Sequence, residues 1–77
     1  MEDKNINKLL WQRSESAIEA LSKRFGKRLM WIATNILGTH QDAEESVNDT
    51  YLAVWNTVPP KKPDPLAGYV YATGRNI

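Results

Sequence analysis

All four prolines of this 77-residue chain lie in one stretch, V-P-P-K-K-P-D-P at 58–65. Proline lacks an amide hydrogen and restricts the residue before it, so no helix continues through this stretch. Elsewhere apolar residues recur at helical spacing, without the strict alternation or Asn-Gly turns that indicate strands. The sequence therefore predicts an all-α fold, a small bundle of four to five helices with a stiff, exposed loop at 58–65.

Glycines and capping residues predict where the helices begin and end. A first helix covers about 3–12, and a second begins at Ser14 or Ser16 and breaks or bends at Gly26. A third covers 27–37 and ends at Gly38 as its C-cap, and after a tight turn containing His40 a fourth spans about 42–57. Asp42 is the expected N-cap of that fourth helix. Asp64 and Pro65 are expected to be the N-cap and first residue of a fifth helix that runs to the chain end.

The apolar positions at helical spacing predict the core. The three tryptophans occur about once per helix, which favours packing in the core over stacking with bases. Tyr69 and Tyr71 are two positions apart, so they lie on different helix faces and one of them is expected to face solvent or a partner. The predicted core consists of Ile6, Leu9, Leu10, Ala17, Ile18, Leu21, Phe25, Leu29, Met30, Ile32, Ala33, Ile36, Leu37, Ala43, Val47, Tyr51, Val54, Trp55, Trp11 and Trp31.

The net charge of +1 conceals a segregation of charge along the chain. Residues 23–28, K-R-F-G-K-R, carry four positive charges, whereas 42–57 carry only acids, and positive charge returns with Lys61, Lys62 and Arg75. Each cluster alone is typical of a solvated helix face. An acidic helix followed by a basic segment indicates two partners of opposite electrostatic character.

Several function classes lack the residues they need. The chain has no cysteine and one histidine, His40, and no nucleophile–base pair or glycine-rich phosphate loop is recognisable. The acids near Asp42 do not match a calcium loop. No apolar run approaches the roughly 18 residues of a membrane span. We therefore expect a cytoplasmic protein that is not an enzyme and has no metal site or cofactor.

Two segments in sequence order carry a family resemblance. The stretch D-A-E-E-S-V-N-D-T-Y-L-A-V-W at 42–55, a short proline-bearing loop, and L-A-G-Y-V-Y-A-T-G-R-N at 66–76 resemble region 2 of bacterial sigma factors of the sigma-70 family. The extracytoplasmic-function (ECF) type is the most similar, over roughly residues 14–77. The resemblance implies a region 2 bundle, which would make 1–77 one domain cut from a longer chain with a C-terminal helix-turn-helix domain.

The resemblance implies a polymerase-binding surface on the helix at 42–57. Helices of this kind dock on the clamp coiled coil of the RNA polymerase β′ subunit. Glu45, Asn48 and Asp49 stand where the family has polar contacts, with Asn48 in place of the usual Gln, and Asp42 adds a further acid. Tyr51 takes the usual Phe position and is expected in the core.

The resemblance also implies contact with the non-template strand of the promoter −10 element. The loop at 56–65 resembles the loop that holds a flipped base in relatives, although it contains no Phe or Trp. Asn76 and Arg75 match a family Asn and its preceding Arg, and are expected to contact base and backbone respectively. Lys61, Lys62 and Tyr71 complete the expected DNA-binding residues, because cations interleaved with aromatics suit single-stranded nucleic acid.

Two other functions stay open at this point. A plain helical adaptor would bind a protein through its acidic helix and would not depend on nucleic acid. A helix-turn-helix reader of duplex DNA would bind strongly and with a marked salt dependence, which a net charge of +1 disfavours. The resemblance to sigma factors also allows an anti-sigma factor as a further partner.

Overall fold

The computed structural model describes residues 2–76, which form four α-helices and no strand. They are α1 (Asp3–Trp11), α2 (Ser16–Leu37), α3 (His40–Thr57) and α4 (Leu66–Arg75). The prediction of an all-α bundle is confirmed, and residues 58–65 form an irregular connection as expected. None of these helices is sufficiently long and apolar to cross a membrane.

Helix α2 is the central element of the bundle. Its 22 residues span about 33 Å at 1.5 Å per residue, close to the 35 Å long axis of the molecule. It packs against each of the other three helices. Its buried residues recur at helical spacing along its whole length, namely Ala17, Ala20, Leu21, Phe25, Leu29, Ile32 and Ala33.

The predicted break at Gly26 is wrong, because residues 16–37 form one continuous helix. A Cβ atom at position 26 would lie 3.1 Å from the hydroxyl oxygen of Tyr51 on α3. Glycine therefore makes room for a phenol from the neighbouring helix and does not end its own. Tyr51 is buried as expected, and burial raises the pKa of its hydroxyl, an effect that a hydrogen bond with Ser22 partly opposes.

The helix ends differ from the prediction by up to three residues. Gly38 is the C-cap of α2, with a left-handed φ of 82°. Thr39, and not Asp42, is the N-cap of α3, because its hydroxyl accepts a hydrogen bond from the Asp42 amide at 3.3 Å. Asp42 and His40 thus belong to the first turn of α3. Pro65 is the N-cap of α4 and precedes its first residue.

Most of the predicted core is buried, but four large side chains are not. Trp11 and Trp31 are 41% and 69% exposed, and Ile36 and Leu37 at the end of α2 are also exposed. Both tryptophans lie off the buried stripes of their helices. The prediction of burial, which rests on one large aromatic per helix, is therefore wrong for these two side chains. Trp55 is half-buried and packs against the core.

We expect alanine to stabilise the domain at Gly68 of α4 but not at Gly74 of the same helix. At Gly74 a Cβ would lie 2.9 Å from Cδ2 of the buried Leu29, whereas at Gly68 the nearest atom is 3.6 Å away. Gly68→Ala should raise the free energy of unfolding by about 0.5–1 kcal/mol, because alanine has the better helix propensity. Gly74→Ala should fall below Gly68→Ala by about 1 kcal/mol or more, because the core must shift. Urea unfolding followed by circular dichroism measures both, and equal gains would contradict the close packing of α4 on α2.

Candidate protein- and nucleic-acid-binding surfaces

The predicted polymerase-binding residues all lie on the exposed side of α3. Asp42, Glu45, Asn48 and Asp49 are exposed, and with Leu52 they form a surface that we call the acidic face. The buried side of the same helix carries Ala43, Val47, Thr50, Tyr51 and Val54, which fixes the outward direction of the acids. Within residues 2–76 the acids of this face have no ion pair. The face therefore presents uncompensated negative charge.

One acid on α3, Glu44, does have a partner. Its Oε1 lies 2.8 Å from Nε2 of His40, one turn earlier on the same helix, and both side chains are exposed. Across residues 2–76 no three His, Asp or Glu side chains are placed to hold a metal ion.

A groove between α2 and α3 borders the acidic face. Its volume is about 770 Å³, and Met30 and Trp31 line one side while Glu44 and Asn48 line the other. The exposed indole of Trp31 offers apolar contact area next to the acids. The sequence analysis predicts Trp31 in the core, so it does not predict this exposed apolar area.

The irregular connection at 58–65, which we call the proline loop, is held in place by α1. The indole Nε1–H of Trp11 donates a hydrogen bond to the Lys61 carbonyl oxygen at 3.3 Å, and the Asn7 amide donates to the Pro63 carbonyl oxygen at 3.1 Å. The Lys61 amide in turn donates to the Thr57 carbonyl at 3.0 Å. The backbone of the loop is thus tied to two helices, while the side chains of Lys61 and Lys62 remain exposed.

Arg13, in the turn between α1 and α2, fixes the point where α3 ends and the loop begins. Its guanidinium donates to the carbonyl oxygens of Trp55 at 2.6 Å and Val58 at 3.3 Å. Its central carbon lies 3.9 Å from the centroid of the Trp55 ring. A positive charge is favourable at the negative end of a helix, where carbonyl groups lack partners. Arg13 adopts a φ of 55°, an uncommon left-handed conformation for an arginine.

The two tyrosines of α4 both support packing. The Tyr69 hydroxyl lies 2.6 Å from the Thr57 hydroxyl and links α4 to the end of α3. The Tyr71 ring meets Phe25 edge-on at 5.6 Å between centroids. Both tyrosines are half-buried and pack against the core, so neither is completely enclosed.

The predicted DNA-binding residues lie along one helix and its preceding loop. Lys61 and Lys62 stand before the start of α4, Tyr71 lies within it, and the exposed Arg75 and Asn76 stand at its end. The ten residues of α4 span about 15 Å. The five residues therefore do not converge on one point, and their arrangement suits an extended strand more than a single small ligand.

The basic run of α2 adds a cation that the prediction did not include. The Arg28 guanidinium lies 5.3 Å from the centroid of the Tyr71 ring, which places it beside α4. The sequence shows that the run K-R-F-G-K-R is basic, but only the packing of α4 on α2 shows which of its side chains lies near the candidate DNA-binding residues.

A second cavity lies between α1 and the proline loop, and we call it the α1–loop pocket. Its volume is about 610 Å³, and Asn7, Lys8 and Trp11 face Lys62, Pro63 and Leu66 across it. The Lys62 ammonium lies 5.1 Å from the centroid of the Trp11 ring. The Asn7 Oδ1 atom is buried without a hydrogen-bond partner among residues 2–76. No sequence pattern predicted this pocket.

Comparison with known families identifies the family of the chain. The family model for Sigma-70 region 2 matches residues 21–77, well over half of the chain. The chain belongs to the sigma-70 region 2 family. No curated protein and no solved structure matches it. The sigma-70 region 2 domain is part of an RNA polymerase sigma factor, and it acts in transcription initiation with core polymerase and promoter DNA.

The part of the helical bundle that precedes residue 21 lies outside the family match. The matched range begins within α2, so α1 and the turn containing Arg13 precede it. The acidic face, the loop and α4 all lie inside the match, whereas the α1 side of the α1–loop pocket does not.

We expect Arg13→Asn to destabilise the domain by about 1–2 kcal/mol, because two carbonyl groups at the end of α3 lose a charged donor. Asparagine tolerates the left-handed backbone, so the variant tests the guanidinium and not the conformation. Thermal unfolding followed by circular dichroism measures the loss.

Lys23→Ala is the matched control for Arg13→Asn. It removes an exposed cation whose partner, Glu19, lies at 3.2 Å on the same helix. Exposed pairs of this kind contribute little, about 0.3–0.5 kcal/mol. A loss for Arg13→Asn no larger than for Lys23→Ala would mean that the guanidinium does not hold the end of α3.

Proposed function

We propose that the chain is region 2 of an ECF-type sigma factor, which docks on core polymerase through the acidic face and engages the −10 element through the loop and α4. The observation that carries the proposal is the separation of charge on adjacent elements. The exposed side of α3 has acids and no cation, whereas the loop and α4 that follow it carry Lys61, Lys62 and Arg75.

The docking step places the acidic face against the clamp coiled coil of the β′ subunit. No ion pair within residues 2–76 involves Asp42, Glu45 or Asp49. A basic partner can therefore pair with these acids without breaking an existing ion pair. Leu52 is 56% exposed on the same face, and Trp31 borders it. Charge would guide the encounter and these apolar side chains would form the centre of the interface.

The DNA step follows docking. A domain with a net charge of +1 binds duplex poorly by itself, because non-specific affinity grows with the number of phosphates neutralised. On the polymerase, Lys61, Lys62 and Arg75 contact the backbone of the non-template strand and Asn76 reads a base edge. Tyr71 lies between them on α4 and supports the strand.

Melting follows from selective binding to the opened strand. Unstacking a base costs a few kcal/mol, and contacts made only to the extruded base offset that cost. No bond is made or broken by the domain, because the polymerase is the catalyst. The proposal extends to a C-terminal helix-turn-helix domain for the −35 element, and to an anti-sigma factor as a regulatory partner.

Asp49→Arg should weaken binding to core polymerase, or to the isolated β′ coiled coil, by about tenfold or more, equal to at least about 1.4 kcal/mol. The change places a cation at the centre of the acidic face opposite a basic partner. Glu15→Arg makes the same charge change at an exposed position before α2 and serves as the control. Equal affinities for the two variants in a fluorescence anisotropy titration would refute docking through the acidic face.

Asn76→Ala should reduce the preference of the polymerase-bound protein for its −10 sequence over a mutated sequence. Loss of a bidentate base contact costs about 1–3 kcal/mol of discrimination. Asn35→Ala is the control, since the Asn35 amide only donates to the Trp31 carbonyl of its own helix, at 2.8 Å. An unchanged sequence preference after Asn76→Ala would show that another residue reads the base.

A further inference from the structure

We propose that the groove between α2 and α3 is a self-association surface, which pairs with the same groove of a second copy of this chain. The dimer itself is independent of the proposed function, and only its effect on polymerase docking rests on that function. Three observations support a second copy as the occupant. They are the exposed apolar side chains, the opposite charges of the two rims, and the levels at which those charges lie.

Apolar side chains are exposed on both helices that form the groove. Trp31 lines the α2 side and is 69% exposed, with the half-buried Met30 next to it. On α3, Leu52 is 56% exposed and lies one turn after Asn48, which lines the groove. Apolar side chains exposed together mark interaction sites, and tryptophan is enriched among the residues that dominate interface energies. The groove therefore has the apolar centre that an interface needs.

The two rims of the groove carry opposite charge. The exposed Lys27 lines the α2 rim, and Glu44 and Asn48 line the α3 rim. Glu45 lies three residues before Asn48 and is therefore its neighbour on the helix surface. Neither Lys27 nor Glu45 has an ion pair within residues 2–76. A basic helix would match only the α3 rim and an acidic helix only the α2 rim, whereas a second copy presents both charges.

A twofold axis along the groove makes both matches at once. It places α2 of each copy over α3 of the other at unchanged level, and every contact occurs twice, as in any isologous dimer. The two helices are antiparallel, and Gly26 lies level with Tyr51, whose hydroxyl would be 3.1 Å from a Cβ there. Measured from that level toward the connecting turn, Lys27 is one residue away and Glu45 is six. The difference is about 8 Å along the helices, which the two extended side chains span together.

Self-association would cover part of the acidic face. Glu45 and Asn48 belong both to that face and to the proposed dimer contact, so polymerase and a second copy compete for the same side of α3. Any partner that binds only the monomer is opposed by dimer formation, and the opposition grows with protein concentration. The dimer would thus limit docking when the protein is abundant.

Sedimentation equilibrium of the chain alone tests the dimer. The contact is small, so we expect weak association with a dissociation constant of about 10–100 μM. Trp31→Ala should weaken it by at least about tenfold, because the apolar centre is lost. A chain that stays monomeric at about 1 mM, more than 100-fold above nanomolar-to-micromolar affinities, would overturn the proposal.

Reversal of one charge at a time tests the pairing of the rims. Lys27→Glu and Glu45→Lys should each weaken self-association by about tenfold or more, because each places two like-charge pairs in the dimer. Lys4→Glu makes the same charge change at an exposed position of α1 and is the matched control. It should leave the dissociation constant within about twofold, since exposed charges beyond a Debye length are screened.

A mixture of the Lys27→Glu and Glu45→Lys proteins gives the decisive measurement. In the mixed dimer both charge pairs again join opposite charges, so association should return to within about threefold of the unmodified chain. Fluorescence anisotropy with one protein labelled measures it. A variant that had merely lost its fold would not recover, and a mixture that stays monomeric would overturn the proposed pairing.

The isolated β′ coiled coil separates failure of the dimer from failure of the proposed function. Added to the dimer, it should release monomers, and a dimer that binds it intact would overturn the masking of the acidic face. A monomeric chain whose Trp31→Ala variant loses affinity for the coiled coil would assign the groove to polymerase and not to a second copy. If the unmodified monomer does not bind the coiled coil, the proposed docking fails while the dimer stands.

Discussion

Close contact of α3 and α4 with one long helix is the constraint on which the rest of the domain depends. Two of these contacts occur where a glycine leaves room, at Gly26 for the Tyr51 hydroxyl and at Gly74 for the Leu29 side chain. Interiors of proteins are packed as densely as organic crystals, so positions such as these permit little adjustment. The acidic face of α3 and the candidate DNA-binding residues of α4 are consequently held on one rigid support.

The connection between α3 and α4 is ordered by contacts from a distant part of the chain. Arg13 holds the last carbonyl groups of α3, and Trp11 and Asn7 hold two carbonyl groups of the loop. Loops with few backbone contacts are usually the least stable parts of a fold. Here the backbone is fixed while the lysine side chains remain exposed, which combines a defined shape with accessible charge. That combination suits recognition of a strand whose backbone is flexible.

Much of the fold follows from local sequence patterns. Helical periodicity, the proline cluster and Gly38 predicted the helical segments and the loop, because each depends on neighbours within a few residues. The same periodicity also argued against a buried Trp11 or Trp31, since Trp11 directly follows the buried Leu10 and Trp31 lies opposite the stripe formed by Leu29 and Ala33. At these two positions residue size favours burial and helical phase favours exposure, and the structure agrees with helical phase.

Other features have no local signal. The bonds from Trp11 to Lys61 and from Asn7 to Pro63 join residues 50 and 56 positions apart, and only the folded chain brings them together. The α1–loop pocket depends on both bonds and was therefore out of reach of sequence patterns. Gly26 was ambiguous for a related reason, because a glycine that ends a helix and one that admits a neighbouring side chain look alike in sequence.

The first helix has a consequence for how the domain is delimited. Ile6 and Leu10 are completely buried, and α1 packs on both α2 and α4, yet the recognisable family signal starts only at residue 21. The family match and the folded domain thus begin at different residues. A fragment trimmed to residues 21–77 would leave the apolar surface that α1 covers open to water, and we expect it to unfold more readily than the whole domain.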